Sequence, residues 1–306
     1  MFSRITLAWL SAVALVVGGA GCRDNNTGTN DMAIRDLGAN SGDLAGVDMS
    51  VMKTYKDATP NQIDTAPITD VNYGDGINVK LSRMVAVTPV AMFLDRPFCK
   101  SEVWVQDPAC QTPPCGILLV ARGPMLTPLD GSTRDCPSPS AADTILKNVQ
   151  LGDNVDVYGT VDAYKPTGKM VTQHRLDIDR IDVLTGTRET INPIVVTDPT
   201  LFVNNTGGGW NMYEGTLITL DPPAAAELTV QKPFPMNRPT FETTPGPVIW
   251  TYTFLFNTQV TVDGGWMLTF PVTGQRFTSI TGVVATLFDG QIVPRAQTDF
   301  TPQNGL

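Results

Sequence analysis

The segment LGDNVDVYGTV, residues 151–161, decides the fold class of this chain. A Gly-Asp pair starts the segment, and Val155, Val157 and Val161 then recur with a period of two, which predicts a β-strand. Gly159 interrupts the strand and predicts a bend or a β-bulge at that point. β-Branched residues on one face, with a glycine that lets the sheet bend, indicate a curled and closed sheet.

Four further strands are predicted around this segment, between residues 71 and 188. In chain order they cover residues 77–91 (as one strand, or as two with a bend), 102–106, 116–121 and 169–183. A capping box at residues 140–143 predicts a short helix between the third and fourth strands. Three strands, a helix and two strands is the order of an OB-fold, a five-stranded Greek-key barrel.

Both halves of the chain resemble the tandem OB-like domains of uncharacterised bacterial lipoproteins, including myxobacterial ones. Residues 103–108 (VWVQDP) and 151–161 carry the resemblance in the first half, and residues 280–283 (ITGV) with 292–295 (IVPR) carry it in the second. Residues 273–284 (TGQRFTSITGVV) also repeat the pattern of residues 151–161 weakly. The resemblance implies an all-β chain with two OB-like Greek-key barrels. Its motifs are structural, so it implies no particular chemistry.

The second half is expected to build its barrel from strands at residues 213–220, 250–256, 273–284 and 291–295. No segment there corresponds to the predicted helix of the first half, so a β-sandwich is the alternative for this module. Polar residues at 185–190 separate two apolar patterns and place the boundary near residues 186–194. The predicted modules therefore cover residues 71–188 and 189–306.

Composition excludes several function classes. The 306 residues include 21 Lys and Arg, 30 Asp and Glu and a single His, for a net charge of −9. An acidic chain lacks the basic surface that non-specific nucleic-acid binding needs, and one His excludes metal sites with two or three His ligands. Residues 71–188 hold 12 basic and 13 acidic residues, against 4 and 9 in residues 189–306. The first module is therefore the better candidate for an anionic ligand.

Residues 1–22 are predicted to be an export signal. Arg4 supplies the basic start, residues 7–17 are apolar except for Ser11, and small residues precede Cys22. Residues 19–22 (GAGC) resemble the bacterial lipobox, which implies diacylation of Cys22 and cleavage before it. Arg23 implies sorting to the outer membrane by the same resemblance. The alternatives are an anchor helix that is not cleaved and ordinary secretion with cleavage near residue 20 or 21.

Residues 23–70 are predicted to be a disordered tether. They contain eight Asp and four basic residues but one aromatic residue, Tyr55. A segment of this composition buries too little apolar surface to offset its loss of conformational entropy.

The four remaining cysteines predict two disulfides in an exported chain. The nested pairing is expected: Cys110 with Cys115 in the loop between the second and third strands, and Cys99 with Cys136 at the other end of the same hairpin. The alternative is a four-cysteine zinc site, but the cysteine spacing lacks the close pairs of zinc ribbons.

The predicted ligand surface comes from the fold. OB barrels bind oligosaccharides or oligonucleotides on the face of strands two and three, between two flanking loops. In this sequence that surface contains Arg96, Trp104, Tyr164, Lys165 and Lys169, with Trp104 as a core residue in the alternative interpretation. His174 is interpreted as a surface or hydrogen-bonded strand residue, and the Asp177 and Asp179 pair as part of a solvated face.

The sequence thus predicts a non-enzymatic, lipid-anchored lipoprotein of the cell envelope that presents two β modules for ligand binding or scaffolding. The alternative function is an accessory module that binds oligosaccharide or single-stranded nucleic acid for a separate hydrolase. An enzyme with a carboxylate site at Asp177 and Asp179 is the third hypothesis. No cofactor and no metal are predicted. The expected partners are a membrane and a glycan or protein of the envelope, while nucleic acid is not expected.

Overall fold

A computed structural model gives the fold of most of the chain beyond residue 52. It describes residues 53–95, 98–125, 145–164, 172–186, 188–203, 209–224, 227–235, 252–256, 261–263, 271–286 and 290–303. Only the backbone is described for residues 92–95, 98–99, 124–125, 164, 232–235, 252–256 and 261–263. The predicted signal with Cys22, the first part of the tether, and residues Arg96, Cys136, Lys165 and Lys169 lie outside these ranges.

The first barrel is a closed ring of five strands. These strands are β2 (Asn78–Ala86), β4 (Phe98–Gln106), β5 (Gly116–Met125), β6 (Asn154–Tyr164) and β7 (Gln173–Val183). Strand β2 pairs antiparallel with β4 and with β6, β4 pairs antiparallel with β5, and β6 pairs antiparallel with β7. The parallel pair of β5 and β7 closes the ring. The Greek-key barrel predicted for this module is confirmed.

Alternation along the strands fills this barrel. Val103 and Val105 from β4, Leu119 from β5 and Val157 from β6 belong to one buried cluster in its interior, as a period of two requires. The register between β6 and β7 shifts at Gly159, which confirms the predicted bulge. A Cβ atom at Gly159 would lie 2.6 Å from the Asp177 carbonyl oxygen, so the close strand approach requires glycine. The segment predicted as one strand or two, residues 77–91, belongs to two strands. Strand β3 (Ala91–Asp95) follows β2 and pairs with β4.

Part of the predicted tether is ordered and belongs to the first barrel. Strand β1 (Lys56–Asp57) pairs in parallel with β2, and helix α1 (Pro60–Asp64) follows it. Thr59 and Gln62 form a reciprocal capping box, with Pro60 at the first helical position. The prediction of disorder up to residue 70 is therefore wrong for residues 53–70, because Ile63 of α1 is fully buried in the barrel core.

Ile63→Ala is expected to lower the free energy of unfolding by about 2–5 kcal/mol, because it leaves a cavity among the core residues of the first barrel. Urea denaturation followed by circular dichroism measures this loss. Ile68→Ala is the matched control, since the Ile68 side chain is 42% exposed and its truncation is expected to cost less than about 0.5 kcal/mol. Equal stability of the two variants would show that α1 does not contribute to the barrel.

The second barrel repeats the same ring of pairings. Its strands are β9 (Leu217–Leu220), β10 (Leu228–Pro235), β11 (Tyr252–Phe256), β12 (Thr261–Asp263), β13 (Arg276–Ala285) and β14 (Gln291–Val293). Strands β9 and β10 both pair antiparallel with β13, so together they take the place of the first strand. The ring continues through β11 and β12, and the parallel pair of β12 and β14 closes it beside β13. Of the two architectures predicted for the second module, a barrel and a β-sandwich, this closed ring is the barrel.

Two short strands and several short helices flank the second barrel. Strand β8 (Ile194–Val196) pairs with β9, and β15 (Phe300–Pro302) pairs with β13. Helix α2 (Gly209–Met212) buries Trp210 against Phe202, with ring centroids 5.0 Å apart.

The helix predicted near residues 140–147 of the first barrel falls mostly outside the described residues, and residues 145–148 form turns with Leu146 buried. No helix among the described residues is long and apolar enough to cross a membrane.

The two barrels share a third buried cluster, which we call the seam. From the first barrel it contains Val87, Ala91, Trp104, Leu118 and Val120, and from the second Leu217, Val283, Ala285 and Val293. Trp104 and Leu118 lie between the core residues of β4 and β5 in sequence, so they point away from the interior of the first barrel. The outer face of strands β4 and β5 is therefore covered by the second barrel.

Polar and backbone contacts fix the position of the seam. The Leu217 amide donates to Gln106 Oε1 at 2.9 Å, and the Cys115 amide donates to Thr216 Oγ1 at 2.9 Å. Gly116 and Gly215 bring their backbones together, because a Cβ atom on Gly215 would lie 2.2 Å from the Gly116 carbonyl oxygen. Residues 51–306 accordingly form one compact unit.

Candidate functional site

A buried polar cluster lies at one end of the seam, and we call it the junction site. It consists of Asp64, His174, Glu214 and Thr286. Asp64 is the last residue of α1, and His174 is the second residue of β7. Glu214 lies between α2 and β9 and forms an isolated bridge with Val284 of β13. The site therefore joins the first helix, the first barrel and the second barrel.

Local structure positions each of these side chains. The capping box and the buried Ile63 hold α1 and therefore Asp64. His174 lies on the same face of β7 as Leu176, whose side chain is in the barrel core. Gly215 directly follows Glu214 with a φ of +67°, and the Gly215 amide donates to the Val284 carbonyl at 2.8 Å. This turn directs the chain of the second barrel toward the end of the first.

The polar atoms of the junction site are close together and almost fully buried. Imidazole Nδ1 of His174 lies 3.1 Å from Oδ1 of Asp64, and these side chains are 9% and 10% exposed. The Thr286 hydroxyl donates to Glu214 Oε1 at 2.6 Å. One ligand atom each from Asp64, His174 and Glu214 lies within 4.8 Å of the other two. Nε2 of His174 is buried and has no hydrogen-bond partner among the described residues.

The charge state of Glu214 depends on this environment. Burial raises the pKa of Glu214 well above its usual range, and the Asp64 carboxylate, together with a hydrogen bond between the two carboxyls, raises it further. The hydrogen bonds from Thr286 and from the His174 backbone act in the opposite direction. Two adjacent buried carboxyl groups resist carrying two negative charges. A shared proton or a bound cation relieves that repulsion.

The donor set of the junction site suits a transition metal. Zinc binds imidazole nitrogen and carboxylate oxygen, whereas magnesium and calcium prefer oxygen donors alone. The sequence predicts no metal and places His174 as a surface or hydrogen-bonded strand residue. In the structure His174 is buried and has a hydrogen-bond partner in Asp64, and the carboxyl groups of Asp64 and Glu214 both lie beside it.

Trp104 was predicted to lie on the ligand surface of the first barrel, but its side chain is buried. The Trp104 side chain is 3% exposed and belongs to the seam. Its assignment as a ligand-stacking residue is wrong, because a buried indole offers no face to a ligand, and the core interpretation applies. Tyr164 ends β6, but its side chain is not described, and Arg96, Lys165 and Lys169 lie outside the described residues. Their roles remain predictions.

The Asp177 and Asp179 carboxylates are each held by a different cation. Asp177 accepts from Arg122 at 2.5 Å, and Asp179 pairs with Lys53 at 2.7 Å. Burial raises the pKa of Asp177, while the Arg122 charge lowers it. These pairings agree with the interpretation of a charged outer face rather than two acids that share one reacting group.

One predicted disulfide is confirmed. Cys110 is bonded to Cys115, within the loop that joins β4 and β5. The same loop contacts the second barrel through the Cys115 amide and Thr216. The second predicted disulfide, between Cys99 and Cys136, stays a prediction. Only the backbone of Cys99 is described, and Cys136 lies outside the described residues.

Sequence reasoning missed Asp64 and Glu214 for different reasons. A signal for α1 is present, since residues 59–62 (TPNQ) have the capping-box pattern with proline at the first helical position. The Asp-rich composition around these residues nevertheless favours a disordered segment. No local pattern marks Glu214, because its role depends on contact with an element 150 residues earlier in the chain, as the cluster shows.

Comparison with known proteins adds little to this description. No protein-family model matches the sequence, and the search of curated proteins found no match. Among solved structures, a Replication Protein A heterotrimer bound to ssDNA matches over 74% of this chain at 9% identity, with a TM-score of 0.28. The match spans about half, 49%, of the length of that chain.

A single-stranded DNA binding protein from Thermus aquaticus also matches. It covers 76% of this chain and 96% of its own, at 11% identity and a TM-score of 0.24. A deletion mutant of the same protein gives 11% identity and a TM-score of 0.23. The similarities are weak, so the barrel assignment rests on the strand pairings described above.

Proposed function

We propose that this chain is a non-enzymatic lipoprotein of the bacterial cell envelope whose two OB-like barrels act as one body for ligand binding or scaffolding. The observation that supports this most is the seam. A single OB barrel uses the outer face of its second and third strands for ligands, and here Trp104, Leu118 and Val120 on that face pack against the second barrel. The first barrel therefore uses this face to assemble the pair.

The envelope location follows from the N-terminal segment. An export signal that ends in the lipobox-like residues 19–22 would deliver the chain across the inner membrane and attach lipid to Cys22. Each buried CH₂ group of an acyl chain contributes about 0.8 kcal/mol, so two chains anchor a protein stably. The residues between Cys22 and strand β1 would then separate the barrels from the membrane.

Cys22→Ser is expected to abolish fatty-acid labelling and to block cleavage at the lipoprotein site, so that the chain accumulates as a precursor with its apolar signal still attached. Radiolabelled palmitate incorporation measures lipidation, and the molecular mass of the chain measures cleavage of the signal. Cys110→Ser is the control, since Cys110 is bonded to Cys115 and is not part of the predicted signal, and its labelling should equal that of the unmodified protein. Unchanged labelling and cleavage of Cys22→Ser would contradict the lipoprotein proposal.

One surface favours the alternative function, an accessory module that binds oligosaccharide or single-stranded nucleic acid for a separate hydrolase. On the outer face of β6 and β7, the Arg180 guanidinium lies 3.7 Å from the ring centroid of Tyr158, and the Tyr55 ring contacts Tyr158 edge to face at 5.4 Å. Aromatic rings beside cations are the groups that stack on bases or sugars and pair with phosphates. Binding of single-stranded DNA or an oligosaccharide that Arg180→Ala abolishes would favour this alternative.

A further inference from the structure

The junction site gathers three potential metal ligands from three separate parts of the fold. Asp64 comes from α1, His174 from the first barrel and Glu214 from the second, with donor atoms within 4.8 Å of one another. From this convergence we propose that Asp64, His174 and Glu214 bind one zinc ion, which links α1 and both barrels at their junction. The zinc site is independent of the lipid anchor and of any ligand on the outer surface.

Burial supplies the first argument for a cation. The Asp64 side chain is 10% exposed, and Glu214 is 3% exposed. Burying a carboxylate without a compensating partner is costly. Among the described residues no lysine or arginine forms a salt bridge with either carboxyl group, whereas other buried acids such as Asp299 have one, in that case with Arg295. A divalent cation would supply the positive charge that allows both acids to ionise next to the His174 imidazole.

The donor atoms supply the second argument. Zinc bonds of about 2.0–2.1 Å in tetrahedral geometry place two ligands about 3.4 Å apart. His174 Nδ1 and Asp64 Oδ1 are already 3.1 Å apart, so their separation requires little change. The other ring nitrogen, Nε2, is buried without a partner among the described residues. Zinc would bind the imidazole through Nδ1, the nitrogen beside Asp64, with the ring proton on Nε2, and a nitrogen donor favours zinc over magnesium or calcium.

The position of the ligands predicts what the ion does. Asp64 and His174 are 110 residues apart in the sequence, so the complete set exists only in the folded chain. Zinc that binds the folded state alone stabilises it by mass action, and the stabilisation grows with zinc concentration. Because Glu214 belongs to the second barrel, the bound ion would hold the barrels together at the polar end of the seam.

The test uses the full chain, purified in detergent and freed of metal with a chelator, with Zn²⁺ alone as the probe. Isothermal titration calorimetry is expected to give one zinc per chain, and thermal unfolding is expected to shift upward with zinc concentration. Asp64→Asn, His174→Gln and Glu214→Gln should each weaken binding roughly tenfold or more, since even the outer hydrogen-bond partners of metal ligands cause losses of this size. Co²⁺ should give a visible spectrum of nitrogen and oxygen ligation without a thiolate charge-transfer band.

Controls separate this site from other metal binding. Asp179→Asn removes a carboxylate on the same strand as His174 that is paired with Lys53, and it should leave zinc affinity unchanged. Glu214→Gln keeps the shape of the protonated side chain, so it remains informative if another variant fails to fold by circular dichroism. Absence of stoichiometric zinc binding, equal affinity in Glu214→Gln and the unmodified chain, or a thiolate band from the cysteines would each overturn the proposal.

Discussion

Gly215→Ala is expected to reduce the free energy of unfolding by more than about 3 kcal/mol, or to prevent folding altogether. A Cβ atom at Gly215 would lie 2.2 Å from the carbonyl oxygen and 2.3 Å from the carbonyl carbon of Gly116 in the other barrel. Backbone atoms cannot move aside as the end of a side chain can, so the barrels must separate. The φ of +67° at Gly215 adds the strain of a left-handed conformation.

Gly274→Ala provides the matched control for the left-handed conformation alone. Gly274 has a φ of +86°, and no atom lies within 4 Å of a Cβ placed there. Its substitution is expected to cost about 1–2 kcal/mol, the penalty of the backbone conformation alone. Urea denaturation followed by circular dichroism compares the two variants. Equal losses at both positions would show that the close approach of Gly116 and Gly215 does not hold the barrels together.

Trp104→Ala is expected to lower the free energy of unfolding by about 3–5 kcal/mol, the usual cost of removing a buried aromatic side chain. The indole fills the seam between Leu118 and Val120 of the first barrel and the apolar residues of the second. For a protein of this size the loss corresponds to a fall of roughly 10 °C in the thermal midpoint. Scanning calorimetry measures it without dependence on tryptophan fluorescence.

Two further variants distinguish seam packing from a general effect of substitution. Trp104→Phe keeps an aromatic ring and should lose less stability than Trp104→Ala. Val195→Ala truncates a side chain that is 61% exposed, and its effect should stay within about 0.5 kcal/mol. A thermal midpoint of Trp104→Ala equal to that of the unmodified chain would contradict the role of the seam.

Gly215→Ala and Trp104→Ala both disturb the contact between the two barrels, in which outward-facing strand residues of each barrel pack together. If both hold, the pair unfolds as one cooperative unit, and the surface available to a ligand is that of the pair. A ligand would then meet the outer face of β6 and β7, where Tyr158 and Arg180 lie, rather than the covered face of β4 and β5.

The barrel strands could be predicted from the sequence because alternation is a local property. Val103 and Val105 alternate with Trp104 within five residues, and Gly159 marks its own bulge by interrupting such a pattern. The Cys110 and Cys115 bridge is similarly local, since only four residues separate the cysteines. Short-range patterns of this kind need no knowledge of the rest of the chain.

The ordered residues before β2 were harder to predict, because composition and local pattern disagree there. The Asp-rich segment has too few apolar residues to fold alone, yet Ile63 and the capping box at Thr59 are sufficient once a barrel is present to bury them. Tertiary packing supplies the stabilisation that the segment lacks by itself.

The sequence by itself determined that this chain is all-β, with two successive sets of alternating strands and one short disulfide loop, because periodicity and turn residues act over a few residues. Only the tertiary structure decided which outward faces meet, that Trp104 lies in the seam rather than on a ligand surface, and that Asp64 and Glu214 join His174. A period of two assigns a residue to one face of a strand, but not to what covers that face. The covering element comes from elsewhere in the chain, where no local pattern specifies it.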